Sequence, residues 1–402
     1  MSRIIVIGAG QAGASLAGKL RTLGHEGEII LIGEEPAPPY QRPPLSKKYL
    51  LGEMPLERMY LKPESAYAEA GIELRTGARV DSIDTQHKTI TVASETLGYD
   101  ALAFTTGSVV RKLPPAIGGD LGNVFYVRTL ADVDAMAEAF GKGGHVLVVG
   151  GGYIGLEAAA VAAMKGLKTT LIEAADRILK RVAAPETSDY FRKLHGAHGV
   201  DIREGMGLKT LIGENGHVTR AELADGSLLD IDFAIVGVGI EPATELAEAA
   251  GISCENGIKT DAQGRTSAEG VWAAGDCASF PYRGARIRLE SVPNAIDQAE
   301  IVAENMLGAS KDYLAKPWFW SDQYDVKLQI AGLNTGYDHV IERHLPKGSS
   351  HWYYKGSELL AVDAMNDARG YMVGKRLIEA GKSPPREAVA NPETDLKAFL
   401  KA

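Results

Sequence analysis

Ile4-Ile5-Val6-Ile7-Gly8-Ala9-Gly10-Gln11-Ala12-Gly13 and His145-Val146-Leu147-Val148-Val149-Gly150-Gly151-Gly152-Tyr153-Ile154-Gly155 are two copies of one pattern. In each, an apolar strand-like run leads into a Gly-x-Gly-x-x-Gly turn that opens a helix. The glycines permit a tight turn, close approach of backbone to a pyrophosphate, and close packing of helix on strand. The helix N-terminus adds unpaired N–H donors for an anion. Working outward, each turn is followed by an apolar run ending in an acid, Ile29-Ile30-Leu31-Ile32-Gly33-Glu34 in the first unit and Thr170-Leu171-Ile172-Glu173 in the second. An acid at that distance can accept from a ribose hydroxyl. One such turn is weak evidence, because glycine turns before helices are common. Two complete units in one chain imply two bound dinucleotides.

The remaining composition is consistent with that reading. A chain of 402 residues suffices for two or three cores. The net charge of −9 argues against nucleic acid, which calls for a basic face. Cys254 and Cys277 are the only cysteines, without the spacing of a zinc site or a disulfide framework. His195 and His198 have no metal-ligand pattern around them, so no metal is expected. The first strand begins almost at once, and no apolar stretch approaches the roughly 20 residues of a membrane span. These features predict a cytoplasmic protein that does not engage membranes.

The helix after the first turn carries Leu16, Leu20 and Leu23 at a spacing suited to a sheet. The loop Pro36 to Lys48 is stiffened by prolines that fix φ and block strand pairing. The second unit's helix, Leu156 to Met164, is rich in alanine. A short run, Val271-Trp272-Ala273-Ala274-Gly275-Asp276, reads as a buried strand returning to the first domain. Aromatics gather from Trp318 to Tyr354 in a β-rich stretch. The expected boundaries are 1–110 and 240–315 for the first nucleotide domain, 111–239 for the second, and 316–402 for a C-terminal domain.

Further motifs narrow the class. The two fingerprints, Thr105-Thr106-Gly107, and Thr266 leading into Val271 to Asp276 resemble the flavoprotein reductases that bind two dinucleotides. Pro43-Pro44-Leu45-Ser46-Lys47, Glu290-Ser291-Val292-Pro293-Asn294-Ala295 and Pro317-Trp318-Phe319-Trp320-Ser321-Asp322-Gln323-Tyr324 are more specific. They resemble the putidaredoxin-reductase-like, NADH-dependent ferredoxin reductases that serve cytochrome P450s and ring-hydroxylating dioxygenases. The resemblance spans essentially the whole chain. It implies an α/β fold of two Rossmann-like domains, glutathione-reductase-like, plus a smaller α+β C-terminal domain.

It also implies cofactors and residues. Gly8, Gly10, Ala12 and Gly13 would hold the FAD pyrophosphate, Glu34 its ribose, and Val80 its adenine. Arg128 and Asp276 would flank the FAD, Val292 and Trp320 would border its ring system, and Lys47 would approach the reactive ring edge. For NADH, Gly152, Ile154 and Gly155 would take the pyrophosphate, Glu173 the ribose, and Glu157 the nicotinamide end, with Arg181 and Gly239 beside them. Lys47 and Glu157 are the candidate catalytic pair.

Taken alone, several of these residues have plainer readings. Lys47 and Lys48 fit equally two solvated lysines after a proline turn. Glu157 fits an acid near a helix N-terminus, and the aromatics near Trp320 fit a core. Cys277 fits a small buried hydrophobe. The loop from Gly33 to Leu51 contains no cysteine, where related peroxidases and oxidases need one, and no redox pair of the disulfide-reductase kind exists. Electrons must then leave the flavin directly, and the resemblance names a [2Fe–2S] ferredoxin as acceptor. An NADH oxidase or peroxidase and an apoptosis-inducing-factor-like binding flavoprotein stay open as alternatives. Lys62, Arg286, Arg288, Lys375 and Arg376 are candidate cations for docking an acidic ferredoxin.

Overall fold

The computed structural model describes residues 2–401. Its chain divides into two compact units, Met1–Gln41 with Pro55–Val109 and Ile240–Pro317, and Arg42–Met54 with Val110–Gly239 and Trp318–Ala402. The segment Arg42–Met54, read from sequence within 1–110, groups with the second unit.

The first unit is built on a five-stranded parallel sheet. Its order is Val271–Ala273, Ala101–Phe104, Ile4–Ile7, Ile29–Ile32, Ile72–Arg75. The central strands are apolar throughout because both faces are covered, as parallel sheets require. Ile5, Ile7, Ile30, Ile32, Leu102 and Phe104 share one core cluster with Val80, Ile83 and Ile90 of an antiparallel sheet. Ile4, Val6, Ile29 and Leu31 face the other way, into a cluster with Leu16 and Leu20 of the helix Gln11–Thr22 and Val302 of the helix Val292–Met306. Leu23, expected on the packed face, is the helix C-cap and is exposed. The run at Val271–Ala273 pairs in parallel with Ala101–Phe104, so the chain does return to the first sheet after its second nucleotide unit.

The second unit holds another five-stranded parallel sheet, ordered Asp201–Glu204, Lys168–Glu173, His145–Val149, Phe233–Val236, Val124–Phe125. The helix Tyr153–Met164 follows its glycine turn. The same unit contains a five-stranded antiparallel sheet, ordered Trp318–Gln323, Val326–Gly332, Glu358–Met365, Gly348–Lys355, His339–Leu345. The helix Ala368–Glu379 packs on it through Tyr371, Val373 and Leu377, with Trp352 and Tyr354 beneath. The helix Tyr153–Met164 lies against strands of the parallel sheet and also against Trp318–Gln323. Burial on more than one side explains its small-residue sequence, apolar but for Tyr153 and Glu157. Among the described residues no helix is long and apolar enough to cross a membrane.

Candidate functional site

The two glycine turns share their steric logic. Gly8 has φ +113 and Gly150 φ +107, in the region that glycine alone enters readily. A Cβ on Gly8 would stand 2.2 Å from the carbonyl oxygen of Thr105, and one on Gly150 would stand 2.4 Å from that of Gly237. A Cβ on Gly13 or on Gly155 would come within 2.0 Å of the Gly8 or Gly150 carbonyl oxygen, respectively. Gly10 and Gly152 differ in kind, because a Cβ on either meets nothing within 4 Å. Each is the N-cap of its helix and supplies no side-chain cap. The outer glycines thus let the strand, turn and helix close up. The middle one leaves open space before the unpaired helix N–H groups, a cradle fitted to a pyrophosphate.

The acids differ between the units. Glu173 accepts from the backbone N–H of Gly151 and of Ala175, both at 2.7 Å, which aims its carboxylate across the fingerprint. Gly8 N–H bonds the carbonyl of Ile32, as Gly150 N–H bonds that of Ile172. By this register Gly33 occupies the position equivalent to Glu173, and Glu34 lies one residue further on. Glu34 is 70% exposed and pairs with Arg79 at 3.3 Å. Gly33 is needed where it stands, since a Cβ there would meet the Ala9 Cβ at 2.5 Å.

A buried, hydrogen-bonded carboxylate lies in the second unit. Pro43–Ser46 forms a 3-10 turn with prolines in its first positions, whose preset φ starts such a turn. The turn brings Ser46 and Lys47 to the helix Tyr153–Met164. There Glu157 is only 2% exposed. Its Oε2 accepts from Ser46 Oγ at 2.6 Å. Its Oε1 accepts from Ser321 Oγ at 2.6 Å and lies 2.9 Å from Lys47 Nζ. Burial pushes the Glu157 carboxyl above its ordinary range, while the Lys47 ammonium and the two hydroxyls pull it back. Three of about four carboxylate acceptor positions are filled, which leaves one on Oε2. A buried pair like this is costly to break, because removing Lys47 strands a buried charge.

The pyridine nucleotide-disulphide oxidoreductase family matches residues 2–299, and a reductase C-terminal family matches residues 318–400. The chain belongs to the pyridine nucleotide-disulphide oxidoreductases. It is 43% identical to a ferredoxin–NAD(P)(+) reductase of Sphingomonas sp, over 99% of this chain and 97% of that protein. It is 36% identical to the ferredoxin–NAD(+) reductase component of an anthranilate 1,2-dioxygenase system from Burkholderia cepacia, over 98% of both. Among solved structures, the covalent putidaredoxin reductase–putidaredoxin complex matches with a TM-score of 0.95 at 35% identity, covering 100% of this chain and 98% of that one.

The other residues of this oxidoreductase named from sequence fall as follows. In the first unit, Ala12 and Val80 are buried. Asp276 accepts from Ser108 Oγ at 3.2 Å, and Val292 begins the helix that Ser291 caps. Lys47, Arg128 and Trp320 belong to the second unit. The carbonyl of Arg128 accepts from Arg42 at 2.6 Å, and Trp320 lies 5.6 Å from Trp318, ring to ring. Ile154 is exposed at the head of its helix. The Arg181 guanidinium lies beside Gly239, 3.7 Å from where a Cβ would be. Arg286 donates to the carbonyls of Thr260 and Ser279, and Arg288 pairs with Glu290 at 2.6 Å. Those two docking candidates are therefore committed within their own unit.

Sequence reasoning did not pick out Ser46 and Ser321 as functional. They contact Glu157 from 111 and 164 residues away along the chain. The available signal was indirect: an acid inside an alanine-rich helix must find donors somewhere. Cys254 and Cys277 are both unpaired. Burial raises both thiols, Cys254 to about 11, so neither is a ready thiolate at neutral pH.

Proposed function

We propose that this oxidoreductase takes electrons from NADH through FAD and delivers them to a [2Fe–2S] ferredoxin supplying a cytochrome P450 or a ring-hydroxylating oxygenase. The carrying observation is the pair of glycine cradles, each closed by backbone contacts that admit no Cβ and each open at its middle glycine. The relatives named as ferredoxin reductases support the acceptor, and so does a chain without a reactive thiol pair. Bound FAD accepts a hydride from NADH and can pass on its electrons singly, as a one-electron centre requires.

The chain's own part is to bind, orient and balance charge. Gly8, Gly10 and Gly13 would hold the FAD pyrophosphate and Gly152 and Gly155 that of NADH. Glu157, kept buried with one free acceptor position, would receive N–H donors at the nicotinamide end. Lys47 would balance its charge. Residues 1–110 with 240–315 are assigned to FAD, 111–239 to NADH and 316–402 to the C-terminal domain. A cytoplasmic location fits two cysteines left as free thiols.

The released flavin should be FAD and not FMN when the protein is boiled and the supernatant is chromatographed. NADH should reduce cytochrome c only when a [2Fe–2S] ferredoxin is added. Rapid NADH-driven oxygen consumption without ferredoxin would instead favour an oxidase.

Glu173 should set the preference for NADH. Its carboxylate is held by two backbone N–H groups and cannot swing away cheaply from a 2′-phosphate. Two charges about 4 Å apart repel by roughly 4 kcal/mol at an effective dielectric of about 20. Half of that still favours NADH more than about tenfold. Glu173→Ala should lose this preference in kcat/KM, and equal use of NADPH by the wild type would refute the role.

A further inference from the structure

Ser321 is one link in a longer chain of buried hydrogen bonds. Gln323 Nε2 donates to Ser321 Oγ at 3.1 Å, and Gln323 Oε1 lies 2.8 Å from His195 Nε2. His195 Nδ1 lies 3.1 Å from the Tyr324 hydroxyl. Ser321, Gln323 and His195 are 0%, 1% and 0% exposed. The strand Trp318–Gln323 supplies Ser321 and Gln323 on one face, two residues apart, while His195 comes from the helix Pro185–Ala197.

Chemistry fixes the direction of every link. An ionised Glu157 can only accept, so the Ser321 hydrogen is committed to it. The Ser321 oxygen then takes an amide N–H, which turns the Gln323 carbonyl toward His195. A carbonyl can only accept, so the His195 proton sits on Nε2. Nδ1 is left bare and takes the Tyr324 hydroxyl. Burial holds His195 down at about 4 and raises the Tyr324 phenol, so the imidazole stays neutral and the hydroxyl stays a donor at working pH. Tyr324 is itself braced by stacking on His198, 3.7 Å between ring centroids at an angle of 11°. All four donors therefore point along the chain toward Glu157, an arrangement in which each bond polarises the next.

We propose that Gln323 and His195 are positioning residues for Glu157, fixing the Ser321 hydroxyl as a one-way donor that holds the carboxylate in one orientation beside Lys47. This rests on the reading that Glu157 receives the nicotinamide end of NADH. The groups facing Glu157 are Lys47 and Ser46 from the proline turn and Ser321 from the strand. On its own helix the Tyr153 phenol is buried, and burial keeps it protonated. Lys47 and the hydroxyls of Ser46 and Ser321 thus act together, all favouring the ionised carboxylate against its burial. Without Gln323, Ser321 is free to turn its hydrogen elsewhere, and the carboxylate loses part of what opposes its burial. Protonation of Glu157 then moves to higher pH.

The test is an infrared pH titration of the protonated Glu157 carboxyl in the holoenzyme, assigned by its loss in Glu157→Gln. Gln323→Leu should move that titration up by about one pH unit. Flavin reduction by NADH near neutral pH should slow by about tenfold and recover as pH rises. In a Glu157→Gln background the same substitution should add less than about a twofold effect. Ser321→Thr should restore what Ser321→Ala loses. A folded, flavin-loaded Gln323→Leu with an unmoved Glu157 titration overturns the proposal. If Gln323→Leu does not fold, His195→Leu and His195→Gln decide, since only glutamine can keep the donor to Gln323. Equal titrations in that pair also overturn it. A Glu157→Gln enzyme reduced by NADH at the wild-type rate would defeat the underlying reading instead, and the infrared result on the hydrogen-bonded chain would stand apart from it.

Discussion

Gly155→Ala should yield a yellow protein whose colour NADH no longer bleaches, and Gly13→Ala should yield a colourless one. Both substitutions put a Cβ 2.0 Å from a backbone carbonyl oxygen of the preceding turn, Gly150 in one unit and Gly8 in the other. Neither carbonyl can move without moving its turn. The Gly8 turn is pinned further, because Thr105 Oγ1 donates to the Gly8 carbonyl at 2.8 Å. Relieving the overlap displaces helix from strand by about 1 Å, a misplacement that can cost about a hundredfold in rate. The strain itself costs about 1–3 kcal/mol, as overpacking of a close contact does.

The two variants answer different questions. Gly155→Ala should lower kcat/KM for NADH by about a hundredfold or more while flavin content stays at wild-type level. Gly13→Ala should lose flavin on gel filtration while still binding NAD+ in an equilibrium titration. Absorbance in the flavin band and stopped-flow bleaching by NADH distinguish them. If Gly155→Ala loses flavin and Gly13→Ala keeps it, the assignment of the two cofactors is reversed. If both behave as wild type, the cradles are not the nucleotide sites.

Much of this architecture was legible because it is local. The strand, turn and helix at Gly8 and at Gly150 are spelled out within ten positions, and strands buried on both faces announce themselves as apolar runs. The carbonyls that exclude a Cβ at those two glycines, of Thr105 and Gly237, are distant in sequence. Register was less legible. Glu34 and Glu173 both end apolar runs, yet the hydrogen bond from Gly8 to Ile32 sets Gly33 opposite Glu173, so the two acids are offset by one residue. A period-of-two strand gives no internal mark for a shift of one residue past its end. The surroundings of Glu157 were least legible. Sequence offered the Lys47 partner only through resemblance, and Ser46, Ser321, Gln323 and His195 converge from three separate segments. Long-range convergence of small polar residues leaves no periodic trace, so only the fold shows that an acid in an alanine helix has donors at three of its acceptor positions.

Asp363→Asn should make the protein more stable at pH 8. Asp363 is buried on the strand Glu358–Met365. Its Oδ2 accepts from the Tyr353 hydroxyl and, at 2.9 Å, from Thr187 Oγ1. His351 Nδ1 lies 2.8 Å from that threonine oxygen, and burial holds His351 down at about 4, so it offers no charge to balance the carboxylate. Burial therefore outweighs the two hydroxyls and pushes Asp363 up from 3.8 to about 6. The sign follows from linkage. Between these two values the folded state binds more proton than the unfolded one, so stability falls as pH rises through that window. A rise of about two pH units corresponds to about 3 kcal/mol, fully felt above pH 6 and about half felt at pH 5. Asparagine keeps a carbonyl acceptor for both hydroxyls and does not titrate. The variant should exceed wild type by about 1–3 kcal/mol at pH 8, with the gap shrinking toward pH 5, as read from thermal melts of the holoenzyme. A variant less stable than wild type at pH 8 would mean that the charged acceptor contributes more to Tyr353 and Thr187 than its burial costs.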